Sequence, residues 1–162
     1  MTKIISHRAN LNGPASDENT LGSILRCLQE YNFDVEIDVW VLDNLIHIGH
    51  DLPSKFILDI QSFLFKFIQY KDRIWLHCKN IEAAVLFSAL DIGFNFFGHS
   101  SDEFVLTSKG FIFTKPDVVN KNAIVVMPEL VSSKIEEAYF NTKGILTDYP
   151  IQYEAYYNTI RS

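Results

Sequence analysis

Cysteine is scarce in this chain: its 162 residues include only Cys27 and Cys78. They form no CxxC pair and no disulfide framework, so both are expected to be packing residues in a reduced, cytoplasmic compartment. Long apolar runs are also absent. "FILDIQSFLFKFI" comes nearest to the roughly 18 residues of a membrane helix, but Asp59, Gln61 and Lys66 interrupt it. No membrane span is expected. The opening "MTKIISHRAN" has too short an apolar stretch for a secretory core. A cationic excess is missing too: 14 Lys and Arg face 20 Asp and Glu, a net charge of -6. That excludes a nucleic-acid partner held by general attraction to phosphates, though not a local cationic site for one anion. There is no linker, repeat or low-complexity tract, and residues 1–162 are read as a single domain.

What is present alternates between two periods. "KIISHR" at 3–8 is a short buried strand, and "NLNGPASDEN" after it is a loop of turn formers. Leu21, Ile24, Leu25 and Leu28 predict a helix from about 20 to 31, with Asn19 as its N-cap. "DVEIDVWVL" is a strand that returns through "LIHIGHD". A helix is expected from 53 to 70, a strand in "RIWLHCK", a helix over "NIEAAVLFSALDIG" and a strand in "FNFFGH". A hairpin turning at Ser108-Lys109-Gly110 follows. Then come a strand in "NAIVVMP", a helix in "ELVSSKIEEAYFN", a strand in "GILTDYP" and a final helix. Such alternation indicates an α/β fold with a mostly parallel sheet. No GxGxxG or Walker sequence follows the first strand, so a nucleotide-binding doubly wound fold lacks its signature. The expectation is a compact, reduced TIM-type (β/α) barrel of seven or eight strands, shorter than the usual ~250 residues.

The charges fall on particular strand faces. Glu36, Asp38 and Trp40 share one face of their strand, and Trp75, His77 and Lys79 share one face of theirs. A barrel's outer face is covered by helices, so these charges must point inward near the mouth. Two carboxylates in a poorly hydrated space repel, and either a proton or a cation relieves the repulsion. Acids at i and i+2 are well placed to share a divalent metal. The same acids would also suit a solvated edge strand. His7, His77 and His99 lie at or near predicted strand ends, and His50 ends the return strand, where a barrel does its chemistry. His47 sits mid-strand and is read as structural. "HSSDEF", with His99 and Asp102, follows another strand and could join the mouth; turn chemistry for Ser101 or Asp102 is the preferred alternative.

"HRANLNGPASDENT", "EIDVW" and "HIGHD" together resemble the motifs of the glycerophosphodiester phosphodiesterases, and "TDYP" at 147–150 resembles a late Thr-Asp-x-Pro strand of that family. The family is related to the phosphatidylinositol-specific phospholipases C and has a TIM-type barrel. The first fifty-odd residues carry most of the likeness; from 55 to 143 it rests on "HCK". The resemblance implies that His7 and His50 form an acid–base pair and that Arg8 binds phosphate. Glu36 and Asp38 would bind a divalent metal such as magnesium or calcium. Lys79 would sit beside the phosphate or the metal-site carboxylates. Ala9 replaces a glycine of the pattern. His77 stands where the family has a third acidic ligand, which suits a transition metal better than calcium. His99 is a candidate for binding substrate or supplementing the metal site. Glu18 and Asn19 are expected to order the loop and cap the first helix.

These residues imply a metal-assisted phosphodiesterase acting on a small glycerophosphodiester-like substrate. Two other readings use the same residues: a non-catalytic barrel that binds a phosphate ligand, and a lyase that releases a cyclic phosphate.

Overall fold

The computed structural model describes residues 2–54 and 56–161. Among the described residues, ten strands form one sheet: β1 Lys3–His7, β2 Asp34–Leu42, β3 Leu45–Ile48, β4 Phe56–Asp59, β5 Ile74–Cys78, β6 Asn95–Phe97, β7 Phe104–Leu106, β8 Ile112–Thr114, β9 Ile124–Val126 and β10 Gly144–Thr147. The α-helices among the described residues are α1 Leu21–Gln29, α2 Ile60–Phe67, α3 Ile81–Leu90 and α4 Pro150–Ile160.

A continuous parallel run, β8-β9-β10-β1-β2-β5-β6, is the backbone of the sheet. Three antiparallel pairings complete it: β7 on β8, β3 on β2 and β4 on β3. The sheet is therefore mixed, and it holds more strands than the seven or eight expected. It also curls. Trp75 of β5 meets Phe113 of β8 at 5.5 Å, and Phe97 of β6 meets the same ring at 4.9 Å, although these strands lie far apart in the pairing order. At the seam, Ser108 donates its N–H to the Phe96 carbonyl and accepts the Phe96 N–H on its hydroxyl. No strand ladder joins β6 to β7 among the described residues, so the closed barrel expected from sequence is found only as a curled sheet.

Three apolar layers follow from strand alternation. Val35, Ile37 and Val39 face outward under Ile24, Cys27 and Leu28 of α1 and Phe63 and Phe67 of α2. Val125 and Ile145 face outward under Tyr153 and Tyr157 of α4. Ile5, Trp75, Phe97, Phe113, Ile124 and Leu146 fill the inside of the curl. Both cysteines are free and buried, as packing residues should be.

Three local expectations are corrected. The N-cap of α1 is Thr20, which accepts the Ser23 N–H in a reciprocal capping box; Asn19 is left-handed and points elsewhere. The helix expected from 53 begins only at Ile60, and Lys55 lies outside the described residues. Phe56–Asp59 instead adds an edge strand to β3, and Asp59 caps α2 by accepting the Ser62 N–H. A short apolar run fits either period, and pairing with β3 decides between them. The helix expected over 129–141 is reduced to two 3-10 turns, Pro128–Leu130 and Glu137–Asn141. Between them the Ser132 hydroxyl bonds both the Lys134 carbonyl and its N–H, competing with helical bonding.

Phe63 is fully buried and packs against the rings of Phe67, Phe87 and Phe94, whereas Phe65 is 87% exposed. Phe63→Ala is expected to cost about 3–5 kcal/mol in urea unfolding. Phe65→Ala should stay within about 0.5 kcal/mol.

Candidate active site

Register brings the charged residues together. His7 of β1 stands beside Glu36 of β2, and Asp38 of β2 beside His77 of β5. A cavity of about 700 Å3 opens over this end of the sheet. His7, Arg8, Glu36, His50, His77, Lys79 and His99 all line it. Asp38, the eighth residue singled out from sequence, lies just beneath and is fully buried.

Asp38 is the centre of the cluster. His77 Nδ1 lies 2.9 Å from its Oδ1 and Lys79 Nζ 3.6 Å from the same oxygen. Arg8 Nε lies 2.9 Å from Oδ2. Asn19 donates from Nδ2 to Oδ2 at 3.0 Å and accepts the Asp38 N–H on Oδ1 at 3.1 Å. Burial alone would raise the pKa of Asp38, but His77, Arg8 and Lys79 outweigh it and hold the carboxyl well below the usual range. For His77, burial would lower the pKa, but the bonds and charges of Asp38 and Glu36 raise it to about 9. In the absence of a metal, an imidazolium therefore sits between the two carboxylates.

Glu36 reaches its neighbours through both oxygens. Oε2 accepts the Arg8 backbone N–H at 3.1 Å, and Oε1 lies 3.5 Å from His77 Nδ1. The bond to Arg8 needs a tight reversal after β1: Arg8 and Ala9 have φ of 51° and 63°. The position where the resembled pattern has glycine is thus left-handed, and Ala9 occupies it with strain. Arg8 Nη1 also pairs with Glu18 at 3.4 Å.

The two outer histidines each hold a carboxylate on Nδ1. His7 bonds Asp148 at 2.8 Å, and His50 pairs with Asp51 at 3.0 Å. Burial pushes His7 down, but Asp148 and the charge of Glu36 prevail and raise its pKa above the ordinary value. The loop bearing His50 is tied to β2: the Gly49 N–H donates to the Asp38 carbonyl, and Trp40 Nε1 donates to the Gly49 carbonyl. His99 stacks on His77 with centroids 4.7 Å apart. His47, the one histidine read as structural, is not among the cavity residues. Asp102 accepts the Ser100 N–H, as a turn residue does, and it also lines the cavity.

Sequence reasoning missed Asp148 and its supports. Asp148 also accepts from Asn10 Nδ2 at 2.8 Å, and its own N–H donates to Glu129 Oε1 at 2.8 Å. The signal was present in "TDYP", but a partner for Asp148 could not be chosen without knowing that β10 lies beside β1. Asn19 was assigned to a helix cap, whereas its amide holds Asp38.

Glu36, Asp38 and His77 each offer a ligand atom, and these atoms lie within 4.8 Å of one another. Asp38 Oδ1 is buried and has no aligned hydrogen bond. One imidazole with two carboxylates is a reasonable donor set for a divalent transition metal, so the residues present fit such an ion. Loading it requires the His77 proton to leave.

Stability should follow that proton in chelated protein. The raised His77 pKa contributes stability in full below about 6.5, the unfolded value, and that contribution is lost as pH rises through about 9. Urea unfolding with chelator present is expected to show this decline, and His77→Gln should flatten it.

No protein-family model matches the sequence, and no curated protein matches it. Solved structures do. A glycerophosphodiester phosphodiesterase from Parabacteroides distasonis ATCC 8503 superposes with a TM-score of 0.63 at 13% identity, over 99% of this chain and 98% of that one. A glycerophosphodiester phosphodiesterase from Agrobacterium tumefaciens str. C58 gives 0.54 at 17% identity, over 96% of this chain and 100% of that one. At these identities the likeness is one of fold, and over nearly its whole length this chain has the fold of those phosphodiesterases.

Proposed function

We propose that this chain is a phosphodiester hydrolase acting on a glycerophosphodiester-like substrate by paired-histidine acid–base catalysis. The observation that carries the reading is the pair His7 and His50 on one cavity. Each has Nδ1 held by a carboxylate, which leaves Nε2 for the substrate. Around them Arg8 and Lys79 supply positive charge for a phosphate.

In the first step a hydroxyl next to the ester oxygen attacks phosphorus, and His50 takes its proton. A P–O bond to that hydroxyl forms as the P–O bond to the leaving alcohol breaks. His7, whose raised pKa favours the protonated form, gives its proton to the departing oxygen. Water then opens the cyclic phosphate with the two roles exchanged. Asp148 orients His7 and stabilises its charged form, as a buried carboxylate does for a histidine in acyl transfer. Glu36, Asp38 and His77 would hold a divalent ion, which would supply further positive charge to the phosphoryl oxygens.

His7→Ala and His50→Ala are each expected to lower kcat on a glycerophosphodiester by about 10²–10⁴, followed by phosphorus NMR. Wild-type rates in both variants would overturn the assignment. A cyclic phosphate that accumulates and persists would mean that the reaction ends at the lyase step, and tight binding without turnover would mean a non-catalytic barrel.

Asp148→Asn provides a separate test of His7. Loss of the carboxylate charge should move the alkaline limb of the rate profile to lower pH, toward the ordinary histidine value, because the amide no longer favours the imidazolium. A limb that stays in place in the variant would exclude His7 as the group that must remain protonated.

A further inference from the structure

The ladder between β9 and β10 stops just short of Asp148. Its register ends with Leu146 beside Val126, and the Met127 N–H donates to the Leu146 carbonyl. In a continued parallel ladder the Asp148 N–H would go next to the Met127 carbonyl. That carbonyl is already taken. Met127 is left-handed, with φ of 48°, and the chain turns there into the 3-10 turn Pro128–Leu130. Within that turn the Met127 carbonyl accepts the Leu130 N–H. The side chain of Glu129 takes its place. Oε1 accepts the Asp148 N–H at 2.8 Å and the Thr147 hydroxyl at 2.9 Å. Thr147 Oγ1 in turn accepts the Tyr149 N–H at 3.0 Å. One carboxylate oxygen thus clasps the bend 147–149, where the strand ends and Asp148 meets His7.

The arrangement is unfavourable for Glu129 itself. Its Oε2 is buried and has no hydrogen bond among the described residues. Burial, and the nearby charge of Asp148, push its carboxyl pKa up. A buried acceptor without a partner is destabilising and calls for a reason. The reason is placement. Asp148 is buried, and its Oδ1 receives His7 Nδ1 at 2.8 Å and Asn10 Nδ2 at 2.8 Å. Glu129 does not line the cavity on which His7 opens. We infer that Glu129 is a positioning residue: its Oε1 stands in for a strand carbonyl and sets the Asp148 carboxylate on His7. This deepens the phosphodiesterase reading above and rests on it, since there Asp148 orients the group that protonates the leaving alcohol. The role needs an acceptor oxygen at that reach, and it does not need the charge.

Three substitutions separate reach from charge. Glu129→Gln keeps an acceptor oxygen at the same reach and removes the charge. Glu129→Asp keeps the charge on a side chain one methylene shorter. Glu129→Ala removes both. The first readout needs no substrate: NMR follows exchange of the His7 Nδ1–H proton with water, against the backbone amides of Ile5 and Val35 in the same sheet. In Glu129→Ala and Glu129→Asp the ring proton is expected to exchange about tenfold faster while the two amides do not change. In Glu129→Gln it should exchange as in wild type. The second readout is turnover of a glycerophosphodiester. There kcat is expected to fall about tenfold in Glu129→Ala and Glu129→Asp with KM unchanged, and Glu129→Gln should restore it. If Glu129→Ala does not fold, the contrast between Glu129→Asp and Glu129→Gln carries the test. Wild-type ring-proton exchange in Glu129→Asp and Glu129→Ala overturns the inference. So does a Glu129→Gln protein as impaired as Glu129→Ala, which would make charge the cause. Faster exchange at His7, Ile5 and Val35 alike is general loosening and also overturns it. Absence of turnover in the wild-type protein sinks the phosphodiesterase reading alone, and ring-proton exchange still decides whether Glu129 sets Asp148 on His7.

Discussion

The carboxylate of Asp38 is the constraint around which the rest is arranged. It is fully buried, and a buried charge is tolerated only with partners. The partners come from separate parts of the chain: Arg8 from the turn after β1, Asn19 from the loop before α1, His77 and Lys79 from β5 and its end. Each is thereby drawn to the same end of the curled sheet. Such a cluster is weak support for overall stability, because desolvating the charges offsets most of their attraction. Its consequence is positional: Arg8, His77 and Lys79 are held at the cavity floor.

The same alternation that buries Asp38 also divides the inner surface of the sheet. On β2, Asp34, Glu36 and Asp38 all face inward. Asp34, nearest the start of the strand, is taken by Lys3, Arg73 and Trp75 and takes no part in the cavity. On β5 and β6, Trp75, His77 and Phe97 face inward and join the apolar filling to the charged cluster. One curled surface thus carries both a polar end and an apolar wall. Of the antiparallel additions, β7 covers the β8 edge of the parallel run, whereas β3–β4 pairs with the part of β2 that extends past β1, and β3 leads directly into the His50 loop.

Much of this was legible in the sequence. The alternation of "EIDVW" with its apolar neighbours predicts an outward Val35, Ile37 and Val39 and an inward pair of acids, and both are found. The inward facing of His77 and Lys79 followed from the same period, and the Ser108-Lys109-Gly110 turn from its residue types. The errors have a common physical source. At 56–59 and 129–141 local pattern was ambiguous, and pairing with a distant strand or side-chain bonding to the backbone chose the outcome.

The amino-acid order by itself determined which residues share a face, where the turns fall and which side chains have the chemistry for phosphate and proton work. These properties depend on spacing along a few neighbouring residues. Only the tertiary structure decided that Asp148 meets His7, 141 positions away, that Asn19 holds Asp38, and that apolar side chains line the cavity beside the charged ones. Those pairings depend on which strands lie side by side and how far the sheet curls. Both are set by the packing of the whole chain, and no local period encodes them.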